Sequence, residues 1–137
     1  ELLEADENSL VTLGSHLYTH YNVKNLSNHV LLDQFEKNSH SLANFKSYLP
    51  VFAFPFGQPE SCFTRRQAGS LLRFGAKKLF TSWPSPNTNH KAEVLDRIGL
   101  TNWHKDSRLW FQVLRHPLSE MLGLAGPNWD YRSEEQF

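Results

Sequence analysis

Two histidines that stand four residues apart, His16 and His20, are the residues in this sequence that most directly suggest chemistry. A neutral imidazole is a good ligand for Zn²⁺ and for neighbouring transition metals. Side chains at positions i and i+4 of a helical turn lie roughly 5–6 Å apart at Cβ, so both rings could bind one ion. A catalytic zinc site usually has three protein ligands and a water, so a third ligand must come from elsewhere. The same spacing also fits two surface or capping histidines that bind no metal.

The elements around this pair are predicted from the apolar pattern. The run over residues 10–13 is rich in β-formers and predicts a buried strand, which the following Gly14-Ser15 pair ends. The histidines would then lie at the carboxyl end of that strand, where open α/β sheets and barrels bind ligands. Ser27 is a predicted N-cap for a helix that reaches about residue 45. The residues of this helix that should face a sheet are Leu31, Phe35, Leu42 and Phe45.

Strands and helices continue to alternate along the chain. Residues 51–54 form a continuous apolar run, typical of a strand that is covered on both faces, and Thr64 begins a capping-box helix that Gly75 ends. Further strands are predicted over residues 77–81 and 94–100, with a helix over residues 106–116 and a helix end over residues 1–7. This alternation predicts an α/β fold with a parallel sheet. Residues 1–122 are predicted to form one domain, and residues 123–137 an irregular tail.

Composition excludes several classes of function. The chain has 137 residues, and its 14 basic and 14 acidic residues cancel to a formal charge of zero, which argues against a nucleic-acid-binding face. No apolar run approaches the length of a membrane span. Cys62 is the only cysteine, so an intramolecular disulfide is excluded.

Two motifs resemble those of a known family. The segment Leu-Gly-Ser-His-Leu-Tyr-Thr-His over residues 13–20, followed by Asn-Leu-Ser over residues 25–27, resembles the second motif of the polysaccharide deacetylases. The segment Phe-Ala-Phe-Pro-Phe-Gly over residues 52–57 resembles the third motif, in the form found in enzymes that deacetylate poly-N-acetylglucosamine. The resemblance extends over roughly residues 1–115.

The resemblance implies a fold, a reaction and a site. The family fold is a distorted (β/α) barrel, and its metal, usually zinc, is held by an aspartate and two histidines that match His16 and His20. The loop that includes Phe54, Pro55, Phe56 and Gly57 would line the substrate pocket, and the backbone N–H of Phe56 would stabilise the oxyanion. Trp83, at a predicted strand tip, could stack on a sugar ring or could be an ordinary loop aromatic. The family also implies a location in the cell envelope or outside the cell.

The main departure from the family is the first motif, whose paired aspartates supply the base and one metal ligand. No such segment occurs in residues 1–137, so we expect a partial barrel whose N-terminal strands would lie before residue 1. Asp33 and Asp96 are the carboxylates considered as substitutes, although helix-dipole stabilisation explains the first and an ion pair with Arg97 the second. The literal match to the last motif places the general acid at His116, on a predicted helix rather than at a strand end.

Two classes of function remain open at this stage. The first is a metal-dependent hydrolase that removes N-acetyl groups from an amino-sugar polymer, with residues 1–137 alone inactive because the base is missing. The second is a non-catalytic carbohydrate-binding or interaction module of the same fold, which another chain could complete.

Overall fold

The computed structural model describes residues 2–85, 87, 89, 91–97, 118, 121 and 122. Its principal helices and strands follow one another in the order expected for an α/β chain. They are α1 (Leu2–Asp6), β1 (Leu13–Ser15), a 3₁₀ turn (Val23–Asn25), α2 (Asn28–Leu42), β2 (Tyr48–Ala53), α3 (Arg65–Phe74), β3 (Lys78–Phe80) and β4 (Val94–Leu95).

The four strands form one parallel sheet in the order β1-β2-β3-β4. Ser15 of β1 lies opposite Phe52 of β2, which in turn lies opposite Leu79 of β3, and Leu79 pairs with Val94 of β4. The predicted α/β class with a parallel sheet is therefore confirmed. Because all strands run in one direction, their carboxyl ends lie along one edge of the sheet.

The hydrophobic core lies between the sheet and the two longer helices. Leu31 and Phe35 of α2 and Leu71 of α3 are buried together with Phe52 and Leu79 of the sheet. Helices α2 and α3 also contact each other. The predicted inward face of α2 is confirmed for its first half.

The second half of α2 is less buried than the sequence predicts. Leu42 and Phe45 are only half-buried, and the helix ends at Leu42 rather than near residue 45. Over residues 51–54 burial alternates, with Phe52 and Phe54 fully buried and Val51 and Ala53 half-buried, so the expected covering of both faces of the strand is only partial. This alternation is typical of a strand with one face on the core.

Both predicted helix N-caps are confirmed. Ser27 Oγ accepts a hydrogen bond from the N–H of Val30 at the start of α2. At the start of α3, Thr64 Oγ1 accepts from Gln67 N, and Gln67 Oε1 accepts from Thr64 N in return. Gly75 ends α3 with a φ of 126°, as its predicted C-terminal role requires.

The first strand begins later than predicted, so the expected strand over residues 10–13 is wrong in its bounds. Asn8 turns the chain after α1, since its backbone and side-chain oxygens accept from Val11 N and Leu10 N. Leu10 is consequently 91% exposed. Gly14 belongs to β1 rather than ending it. Glycine suits this position because a Cβ would lie 2.5 Å from Val51 Cγ2 of the adjacent strand. The strand therefore ends at Ser15, directly before His16.

A carboxylate connects α1 to the start of β2. Asp6 accepts hydrogen bonds from the N–H and hydroxyl of Ser47, both at 2.6 Å, and from the N–H of Lys46 at 3.0 Å. The side-chain and backbone hydrogen bonds from Ser47 lower the pKa of Asp6 below its ordinary value. The ionised carboxylate thus helps to hold α1 against the sheet.

Replacement of Asp6 should change how stability depends on pH. Because the pKa of Asp6 is lower in the folded chain, its stabilisation is complete above the unfolded value of about 3.9 and is lost as the pH falls through the folded value. The difference in unfolding free energy between wild type and Asp6→Ala should therefore shrink on acidification, measured by urea denaturation. Glu7→Ala, at an exposed neighbouring position, is the control; equal pH dependence in both variants would contradict this role.

A buried amide joins α3 to the segment that follows the histidines. Gln67, only 6% exposed, donates from Nε2 to the carbonyls of Val23 at 2.8 Å and Leu26 at 3.0 Å. Gln67→Leu removes these donors and the capping-box acceptor of α3 at similar volume, and it should lower the unfolding free energy by about 1–3 kcal/mol. Arg66→Ala, at the exposed position beside it, should change stability by less than about 0.5 kcal/mol. A loss no larger than that of the control would contradict the assignment.

Candidate functional site

The sequence-predicted site residues lie where three parallel strands end. His16 directly follows β1, the segment from Phe54 to Gly57 follows β2, and Ser82 and Trp83 come shortly after β3. The carboxyl edge of the sheet therefore brings together both motifs that were singled out in the sequence. This is the edge at which parallel sheets bind ligands.

The two histidines are close together, although not for the predicted reason. Their ring centroids are 4.8 Å apart with an interplanar angle of 67°. The connecting segment is not helical, because Leu17 and His20 have positive φ values of 64° and 56°. The expected helical turn is therefore wrong; a loop with two left-handed residues brings the rings together, and the burial of Leu17 anchors it.

His16 is oriented by groups on two neighbouring elements. Its Nδ1 lies 2.7 Å from the carbonyl oxygen of Ala53, at the end of β2, and its backbone N–H donates to Asn38 Oδ1 of α2 at 3.2 Å. Since a carbonyl can only accept, Nδ1 carries a proton in this contact, and Nε2 is the nitrogen left for another partner. A metal-binding histidine commonly has such a partner on its other nitrogen.

The loop between the histidines is fixed to α2 through Gln34. Oε1 of this nearly buried side chain accepts from Thr19 Oγ1 at 2.6 Å and from Thr19 N at 3.3 Å. These contacts with Asn38 and Gln34 could not be identified from spacing alone. A polar residue on the inward face of a helix is the one signal in the sequence that indicates such a role.

The third-motif loop is tightly connected to the loop after β3. Phe56 and Gly57 have positive φ values of 59° and 65°, and Gly57 O accepts from Ser82 N at 2.8 Å. Ser82 Oγ donates to the Phe56 carbonyl, and Gln58 Nε2 donates to Ser82 O at 3.2 Å. The Phe56 ring, 59% exposed, contacts the His20 ring edge-on at a centroid distance of 5.2 Å.

The five residues predicted to bind substrate differ in what they expose. Phe54 is fully buried and stacks on Phe63 with centroids 3.8 Å apart, and Pro55 and Gly57 are also buried. Trp83 is half-buried and packs against the core. Phe56 therefore offers an exposed ring to a ligand, whereas Phe54 acts through the shape of the loop.

The separation of the two imidazoles is compatible with a shared divalent ion. Two imidazoles on one tetrahedral zinc, with Zn–N distances of about 2.0–2.1 Å, have ring centres roughly 5 Å apart, close to the observed separation. Within the part of the chain that the structure describes, no third histidine, cysteine or carboxylate joins them. A metal ion at this pair would therefore need further ligands from outside the described residues.

Both carboxylates considered as substitutes have other contacts. Asp33 forms an ion pair with Lys37 at 2.8 Å along α2, and buried Asp96 accepts from Thr81 Oγ1 at 2.6 Å. Arg97, which the sequence paired with Asp96, donates from Nε to the Thr81 carbonyl at 2.7 Å and from Nη2 to the Phe54 carbonyl at 3.5 Å. Arg97 thus joins the backbone at the end of β2 to the backbone at the end of β3. No pattern in the sequence predicts this role.

Two further expectations concern other parts of the chain. His116, the predicted general acid, lies outside the described residues, as do the helix expected over residues 106–116 and the tail over residues 123–137. Among the helices that the structure describes, none is long and apolar enough to cross a bilayer.

Comparisons of the chain with protein-family models, with curated proteins and with solved structures gave no match. Function is therefore inferred from the geometry of this edge and from the motif resemblance.

Gly57→Ala tests whether the loop after β2 depends on its contacts with the loop after β3. A Cβ at Gly57 would lie 2.6 Å from Ser82 N, in a backbone conformation that alanine rarely adopts. The variant should lose about 1–3 kcal/mol of stability and shift the NMR resonances of the His20 and Phe56 rings. Gly75→Ala is the control for backbone strain, since it also places alanine at a positive φ, 126°, but its Cβ meets no atom within 4 Å; it should lose stability without shifting these ring resonances. Unchanged ring resonances in Gly57→Ala would show that the loops are independent.

Proposed function

We propose that this chain is the C-terminal portion of a metal-dependent hydrolase that removes N-acetyl groups from an amino-sugar polysaccharide. The observation that carries the proposal is the convergence of His16 and His20, with His16 Nε2 available, at the carboxyl edge of a parallel sheet. The resemblance to the polysaccharide deacetylases supplies the reaction class and the larger fold, a partial distorted (β/α) barrel.

In this proposal the histidines hold the metal, and the protein backbone orients them. The Ala53 carbonyl fixes the tautomer of His16, while the Phe56 ring limits the rotation of His20. When bound, the metal supplies a water of lowered pKa and polarises the acetamide carbonyl.

The third-motif loop forms the substrate side of the site. The left-handed conformation of Phe56 and Gly57 presents the loop backbone at the sheet edge, and the resemblance assigns the Phe56 N–H to the oxyanion. The exposed Phe56 ring gives an apolar surface for the sugar.

The general base and the third metal ligand are assigned to residues outside the described part of the chain. Asp33 pairs with Lys37 and Asp96 accepts from Thr81 Oγ1, and neither forms a group of three potential ligands with the histidines. The resemblance assigns both roles to an aspartate pair of an upstream first motif, and it assigns the general acid to His116. A missing base typically lowers the rate about 10²–10⁴-fold, so residues 1–137 alone should be nearly inactive.

A non-catalytic binding or interaction module is the second candidate. It is favoured by the two-ligand metal pair and by β1, which among the described strands pairs only with β2. The free edge of such a strand can add a strand from another chain or segment.

Zinc titration tests the metal assignment. Isothermal titration calorimetry of the 137-residue chain should show one site that is lost in His16→Ala and in His20→Ala. His29→Ala, which removes an exposed histidine of α2, should bind like wild type. Equal zinc binding by wild type and both site variants would overturn the assignment.

Acetate release tests the reaction. With zinc and an N-acetylglucosamine oligomer, residues 1–137 should give release near background, whereas a chain extended upstream to a paired-aspartate motif should release acetate in a chelator-sensitive manner. Robust turnover by residues 1–137 would place the base within them, with Asp33 and Asp96 the first positions to replace. No release by the extended chain would favour the binding module.

A further inference from the structure

Two amide side chains of α2 hold the loop of the histidines at both of its ends. Asn38 Oδ1 accepts a hydrogen bond from the backbone N–H of His16 at 3.2 Å, where the loop begins. Gln34 Oε1 accepts from Thr19 Oγ1 at 2.6 Å and from Thr19 N at 3.3 Å, directly before His20. The helix therefore contacts the loop beside each of the two imidazoles.

The positions of the two amides on α2 match the two ends of the loop. Residues 34 and 38 are four positions apart, so their side chains lie on one side of the helix, roughly 5–6 Å apart at Cβ. Leu31 and Phe35 on this side of α2 belong to the core, and Gln34 itself is only 8% exposed. A buried amide oxygen needs a hydrogen-bond partner, and Thr19 supplies it.

The loop needs such support because two of its residues have an unusual backbone conformation. Leu17 and His20 have positive φ values of 64° and 56°, which residues other than glycine rarely adopt. Conformations of this kind persist only where the surrounding structure determines them. Leu17 is anchored by its burial in the core. His20 is exposed, and the hydrogen bonds from Thr19 to Gln34 hold the backbone directly before it.

We propose that Gln34 is a positioning residue for His20, and that together with Asn38 it sets the separation of the two imidazoles for a shared metal ion. Gln34 acts through the backbone of Thr19, and the imidazoles remain the ligands. The proposal rests on the proposed function, which makes His16 and His20 the metal ligands.

The separation of the imidazoles relates this contact to metal affinity. Their ring centroids are 4.8 Å apart in this structure. A Zn–N bond is about 2.0–2.1 Å long, so a ring displaced by about 1 Å binds poorly to an ion held by the other ring. A loop already held in this arrangement loses less conformational freedom when it binds the ion, and its affinity is therefore higher.

Zinc titration of substituted chains separates positioning from stability. Gln34→Leu removes the acceptor at similar volume, whereas Gln34→Glu keeps an acceptor oxygen. In calorimetry with the 137-residue chain, Gln34→Leu should weaken zinc binding about tenfold, and Gln34→Glu should bind nearly as wild type. Asn28→Ala is the matched control, because this amide of the same helix donates to Ser70 Oγ of α3 instead. It should bind zinc like wild type.

A second variant tests the same contact from the loop. Thr19→Ala removes the donor of the 2.6 Å hydrogen bond at an exposed position, so it leaves the core unchanged. It should weaken zinc binding in the same direction as Gln34→Leu. Urea denaturation of each variant shows whether the chain is folded under the conditions of the titration.

The second readout is independent of zinc. In the chelator-treated wild type, NMR should show nuclear Overhauser contacts from the His20 ring to the His16 ring and to the Phe56 ring, whose centroids lie 4.8 and 5.2 Å away. Gln34→Leu and Thr19→Ala should weaken these contacts. Gln34→Glu and the control Asn28→Ala should retain them.

The two readouts distinguish failure of this proposal from failure of the metal assignment. Zinc affinities and ring contacts in Gln34→Leu and Thr19→Ala that equal those of Asn28→Ala would overturn the positioning role alone. Ring contacts that are lost in Gln34→Leu and kept in Gln34→Glu, in a chain whose wild type binds no zinc, would support the positioning of His20 and refute the metal assignment.

Discussion

The hydrogen bond between His16 Nδ1 and the Ala53 carbonyl is the contact on which the candidate site depends. It joins the ends of β1 and β2, and it is possible only because these strands pair closely in parallel. Gly14 permits that approach, since any side chain there would collide with Val51. The contact also determines which imidazole nitrogen remains available. Strand pairing, histidine orientation and metal-binding potential are thus consequences of one local arrangement.

The features that the sequence predicted correctly are those decided by local chemistry. Ser27 and Thr64 were identifiable because N-cap hydrogen bonds join residues only three positions apart. The predicted carboxyl end of β1 is wrong because glycine commonly ends a strand, whereas Gly14 lies within this one and leaves space for Val51, 37 positions away. The proximity of His16 and His20 was anticipated, but its cause was not. No pattern in the sequence shows that Leu17 adopts a left-handed conformation.

The distribution of carboxylates limits what this part of the chain does by itself. Three carboxylates of the described residues accept hydrogen bonds within the fold, namely Asp6, Asp33 and Asp96. None of them joins the two imidazoles in a group of three potential metal ligands. In the proposed function this segment therefore contributes imidazoles, an aromatic ring and backbone donors, and the acidic groups come from elsewhere.

The hydrogen bonds between the Gly57 and Ser82 segments have a mechanical consequence. The loops after β2 and β3 are joined at three points and must move as one body, whereas the loop of the histidines is attached to α2 through Gln34 and Asn38. The histidine loop meets β2 and the loop that follows it at two contacts, the hydrogen bond between His16 Nδ1 and the Ala53 carbonyl and the ring contact between His20 and Phe56. A displacement of α2 along the sheet would act on both contacts, because Asn38 and Gln34 attach the histidine loop to this helix. The distance between the imidazoles and the third-motif loop therefore depends on how α2 packs on the sheet. A substitution in that packing, far from the sheet edge, would change this distance.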